Sequence, residues 1–66
     1  MTYSAVIIDE SGADQGPVDV SGARNEEQVR NLAKKTGMKW LADNGAERAI
    51  VQVSNDGHGL SIEVRD

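Results

Sequence analysis

Between Asn25 and Asn44, Val29, Leu32, Ala33, Thr36, Trp40 and Leu41 recur at steps of three and four, with Arg30, Lys34, Lys35 and Lys39 filling the positions between them. That period predicts one amphipathic helix with an apolar stripe and a basic outer face. Asn25 stands three residues ahead of Gln28, a capping-box spacing, and Glu26 and Glu27 lie against the positive end of the helix dipole. Gly45 marks the stop, since glycine enters the left-handed conformation without steric penalty. Within the helix, Gly37 is a poor helix former and marks either a weak point or, the favoured reading, a close approach of the sheet. Trp40, the largest side chain, is expected to anchor the core.

Elsewhere the period is two. Thr2 to Asp9 reads as a central strand, with Tyr3, Ala5 and Ile7 on one face and Val6 and Ile8 on the other. Glu10 to Gly16 reads as a hairpin loop, followed by a short return strand through Val18 and Val20. Pro17 has no amide hydrogen, which sends that strand to a sheet edge. Ala49, Val51 and Val53 alternate with Ile50 and Gln52; then Asn55-Asp56-Gly57-His58-Gly59 carries an Asp-Gly hairpin signal, and Leu60, Ile62 and Val64 alternate with Ser61, Glu63 and Arg65. The order strand, strand, helix, strand, strand predicts an α+β fold, a four-stranded antiparallel sheet with the helix across one face, in a single domain over 1–66. On the opposite sheet face the pattern predicts Ser61, Glu63, Arg65 and Gln52, with Ile50 and some of Tyr3, Ala5 and Ile7, a mixed patch that could support a weak homodimer.

Composition narrows the function. A chain of 66 residues buries only about 60% of the surface its unfolded form exposes, so modest stability is expected. Without cysteine and with a single histidine, neither a disulfide framework nor a structural zinc site is expected. The longest apolar run, Ala5 to Ile8, is far short of a membrane span and no leader precedes it, so a cytoplasmic protein with no membrane contact is expected. The net charge of −4 opposes nonspecific adhesion to nucleic acid, and its distribution is uneven. Asp9, Glu10, Asp14, Asp19, Glu26 and Glu27 face a lone Arg24 in residues 1–28, whereas 29–66 are nearly balanced.

Candidate chemistry is sparse. His58 lies in a glycine-flanked turn with at best Asp56 to orient it, too little for a general base. Asp9, Glu10 and Asp14 match no calcium-loop spacing, and no glycine cluster makes a phosphate cradle. The chain is therefore read as no enzyme, with no metal and no cofactor. Arg30, Lys34, Lys35 and Lys39, with Arg48, offer an alternative as a small nucleic-acid-binding module, opposed by Glu26, Glu27, Asp43 and Glu47 at the helix ends and by the lack of aromatic residues for stacking. A non-inhibitory dimerisation or interaction domain is a further alternative. The leading expectation is a negative rim of Asp9, Glu10, Asp14, Asp19, Glu26 and Glu27 that docks on a protein surface built for nucleic acid, because lysines and arginines respond to spaced negative charge whatever carries it.

Thr2-Tyr3-Ser4-Ala5-Val6-Ile7-Ile8-Asp9, the helix with Trp40-Leu41-Ala42, and the small acidic cysteine-free layout as a whole resemble the small anti-CRISPR proteins that bacteriophages direct at type I, including type I-C, CRISPR-Cas complexes. The resemblance covers the whole chain in size, acidity and layout. It implies a stoichiometric inhibitor, acting in the bacterial cytoplasm, that binds a Cas subunit and blocks either target-DNA recognition, as a DNA mimic, or nuclease recruitment. The six carboxylates above would then form the contact surface.

Overall fold

The computed structural model describes residues 3–55 and 57–66; the expected strand start at Thr2 and the turn residue Asp56 lie outside them. The elements are β1 (Ser4–Ile8), β2 (Asp14–Val18), α1 (Glu26–Asn44), β3 (Arg48–Asn55) and β4 (His58–Arg65). All strand pairs are antiparallel, in the order β2-β1-β3-β4. The fold is α+β, with α1 over one face of the sheet and packed chiefly on β3 and β4.

The helix begins where its caps place it. Asn25 Oδ1 accepts from the Gln28 amide at 2.9 Å, and Gln28 Oε1 accepts from the Arg24 amide at 2.8 Å, so two otherwise orphaned donors are satisfied reciprocally. Gly45 closes the helix in the left-handed region at φ 62°, its amide donating to the Leu41 carbonyl.

The buried row of α1 is Val29, Ala33, Gly37 and Leu41, an i, i+4 line that meets Val51 and Val64. This row corrects the expected stripe: Leu32, Thr36 and Trp40 are half-buried on its flank, and Trp40 packs against the core without being at its centre. Gly37 is the reason. A Cβ there would stand 2.9 Å from both methyls of Val64, so the helix axis comes closest to the sheet at a residue no hydrophobicity count selects.

In the sheet, Ala5 and Ile7 oppose Val53 and Val51, and directly opposed residues share a face, so Tyr3, Ala5 and Ile7 turn toward the helix side. Val6 and Ile8 are the residues of β1 that join Ile50, Gln52, Ser61, Glu63 and Arg65 on the uncovered face, which reverses the expected assignment of that strand. β2 also differs from expectation: it starts at Asp14 and ends at Val18, with Val20 buried beyond it. Between Val6↔Pro17 and Ile8↔Asp14 the strand carries one extra residue, a bulge accommodated at Gly16 with φ 108°. Pro17 sits on the edge strand, as its missing amide requires.

Candidate protein-binding surface

Ile8 pairs with Asp14, so Asp9, Glu10 and Asp14 belong to the β1–β2 turn at one end of the sheet. The helix ends there as well. A shallow groove is lined by Asp9 and Glu10 from the turn, by Gln15 from β2, by Trp40 and Asn44 from the last turns of α1, by Glu47 from the segment entering β3 and by one base, Arg48, at the start of β3. Asp43, exposed in the last helical turn, adds a further carboxylate at this end, and no base occupies that turn. Each acid is thus added to the negative end of the helix dipole.

These carboxylates differ in what they do. Asp9 is structural: Oδ1 accepts from the Ser11 amide at 2.9 Å, the Ser11 hydroxyl at 2.6 Å and the Ala13 amide at 3.0 Å, while Oδ2 accepts from Gln15 Nε2 at 2.6 Å. The Ser11 hydroxyl and then the Ala13 amide hold its carboxyl below the usual carboxylate range, because those bonds favour the charged form. Asp14 Oδ1 accepts from the Gly16 amide at 2.7 Å, steadying the bulge. Glu10 pairs with Arg48 at 2.9 Å, and both side chains remain more than half exposed. Glu47 is exposed.

Asp19 follows the far end of β2, its Oδ1 accepting from the Ser21 amide at 3.0 Å; the Ser21 hydroxyl, then that amide, lower its pKa. Glu26 and Glu27 open the helix, and Glu26 approaches Arg30 at 4.0 Å. The helix between the two ends is 19 residues, about 28 Å long. Screening at physiological salt extends about 8 Å, so the two groups act on separate neighbourhoods. The structure therefore does not gather the six expected residues into one rim: Asp9, Glu10 and Asp14 stand at one end, Asp19, Glu26 and Glu27 at the other.

Sequence reasoning missed Glu47, Asp43 and Trp40 as members of the first group. The signal available was the missing base in the last turn of the predicted helix, since Asp43 and Glu47 both fall where a lysine or arginine would favour the dipole. Arg30, Lys34, Lys35 and Lys39 are exposed along the outer face of α1. Among the described residues no group of three or more His, Cys, Asp or Glu is arranged to hold a metal ion, and no helix is long and apolar enough to cross a membrane. Compared with family models, curated proteins and solved structures, the chain matches none.

Proposed function

We propose that this chain is a stoichiometric protein inhibitor of the anti-CRISPR type that binds a Cas subunit of a type I surveillance complex in the bacterial cytoplasm and keeps target DNA from its site. It does so without catalysis and without a cofactor. The contact is the end of the molecule formed by the β1–β2 turn and the C-terminus of α1. One observation supports this choice of end: Glu10, Asp14, Asp43 and Glu47 are exposed there, the last turn of the helix carries no base, and Arg48, paired with Glu10, is the one base lining the groove. Fold stability alone would favour the opposite charge, and departures from local preference of this sort concentrate at functional sites. Trp40 in the same groove offers an aromatic face to a lysine or arginine.

The test is a mobility assay of target-DNA binding by a purified type I surveillance complex. Glu10→Lys with Glu47→Lys should weaken inhibition about tenfold or more, a loss of about 1.4 kcal/mol. Glu26→Lys with Glu27→Lys, at the other end, should leave it unchanged. Equal loss from both pairs, or from neither, contradicts the reading. The exposed Lys34, Lys35 and Lys39 favour a second reading, direct nucleic-acid binding, which predicts a shift of free DNA with a steep salt slope.

A further inference from the structure

The two edges of the sheet are not alike. β2 is five residues long, bulged, and carries Pro17. Each of these features discourages a further strand from pairing there. β4 is eight residues long, and its register with β3 runs unbroken from Arg48↔Arg65 to Asn55↔His58. Antiparallel ladders alternate, so every second residue of β4 bonds inward. The Asp66 amide donates to the Glu47 carbonyl at 2.8 Å, which fixes the phase: even-numbered residues bond to β3, while the amides and carbonyls of Gly59, Ser61, Glu63 and Arg65 point away from the sheet.

We infer that this edge is an interface for a second copy of the chain, the two β4 strands pairing antiparallel about a two-fold axis at Ile62. Three observations on the strand point to self-pairing. The register that overlaps the whole strand sets Ser61 against Glu63 of the second copy, where the hydroxyl donates to the carboxylate, and sets Gly59 against Arg65. Sliding the pair by two residues one way opposes Glu63 to Glu63, each accepting from the Arg65 Nε of its own chain at 2.5 Å, and loses the Ser61 hydroxyl as a donor to it. Gly59 has no role in the single chain that needs a glycine: a Cβ there meets only the Val53 carbonyl, at an ordinary 3.7 Å, and its φ is not positive. Opposite Arg65, the longest side chain of the strand, a glycine leaves the room that the arginine stem requires.

The helix side of the seam is complementary as well. There Ile62 meets Ile62 and Leu60 meets Val64 of the second copy. Leu60 and Ile62 are only half-buried in one chain, and Met38, 40% exposed, lines the groove between α1 and β4 together with Val64. Pairing completes the burial of this strip and produces an eight-stranded sheet with both helices on one face. The seam ends beside the acidic end, where Arg65 of β4 and the Asp66 that follows it border the same hollow as Glu10, Glu47 and Arg48.

Sedimentation of the intact chain across concentration should show a monomer of 7.1 kDa giving way to a dimer. Ser61→Pro removes an outward amide while sparing the bonds to β3, so it should stay folded and monomeric. Gly59→Thr should raise the melting temperature of the monomer, because threonine favours strands, and weaken the dimer. Amide exchange in the wild type should show Ser61, Glu63 and Arg65 gaining protection with concentration, and this decides the matter even if a variant misfolds. A chain that is monomeric at every soluble concentration, a Ser61→Pro dimer of undiminished strength, or outward amides that never gain protection would each overturn the inference.

Discussion

At the scale of single residues, Asp9 shows how much one carboxylate can organise. Four donors from three residues converge on its two oxygens, and its own amide bonds the Ala13 carbonyl at 3.0 Å, so the β1–β2 turn is built around it. Its pKa is lower in the folded chain than in the unfolded one, so its contribution is complete at neutral pH and is lost as pH falls through the folded value. Thermal unfolding followed from pH 7 down through the carboxylate range should therefore show stability declining on acidification. Asp9→Ala should lower the melting temperature at pH 7 and flatten that decline; an unchanged acid limb in the variant would assign it to other groups. A charge-reversal test of docking has to leave Asp9 in place, since replacing it disturbs the turn as well as the charge.

At the scale of elements, the decisive contact is α1 on the sheet at Gly37. Helix propensity alone predicts that Gly37→Ala stabilises by about 1 kcal/mol. The 2.9 Å approach to both Val64 methyls, with Val64 itself 1% exposed, predicts the opposite. Overpacking of this kind typically costs about 1–3 kcal/mol, so Gly37→Ala should show a net loss in denaturant unfolding, and Val64→Ala in the same chain should recover part of it. Additive losses would mean that the helix does not meet the sheet there. Much of this level was legible beforehand: caps at Asn25 and Gly45, the edge position of Pro17, the antiparallel pairing of β3 with β4 and the α+β layout all follow from local chemistry. The close approach expected at Gly37 is met, but that it is the centre of the stripe was less legible, because a glycine adds nothing to a hydrophobic pattern and its partner is a valine 27 positions away. The face assignment of β1 was likewise obscured, being set by its pairing with β3; large apolar residues lie on both faces of Tyr3 to Ile8, and only Ser4, on the side of Val6 and Ile8, marks the uncovered one.

At the scale of the whole molecule, the issue is where charge collects. Acidity in the first half of the sequence does not become one acidic surface, because β2 and the helix carry the chain from one end of a 33 Å body to the other and back. The groove that forms instead joins Asp9 and Glu10, with Asp14 next to the lining residue Gln15, to Glu47 and, next to the lining residue Asn44, Asp43 at the helix terminus. Only the first three were accessible from composition; the others needed the register of β1 on β3 to bring them alongside. This end, with its exposed carboxylates and Trp40, is the centre of the functional account. The most direct measurement is an NMR titration of the labelled chain with an isolated, basic Cas subunit of a type I complex. Shifts are predicted at Glu10 to Gln15, at the Trp40 indole and from Asp43 to Arg48, fading as salt is raised. Shifts confined to Asp19, Glu26 and Glu27, or to Lys34, Lys35 and Lys39, would contradict it.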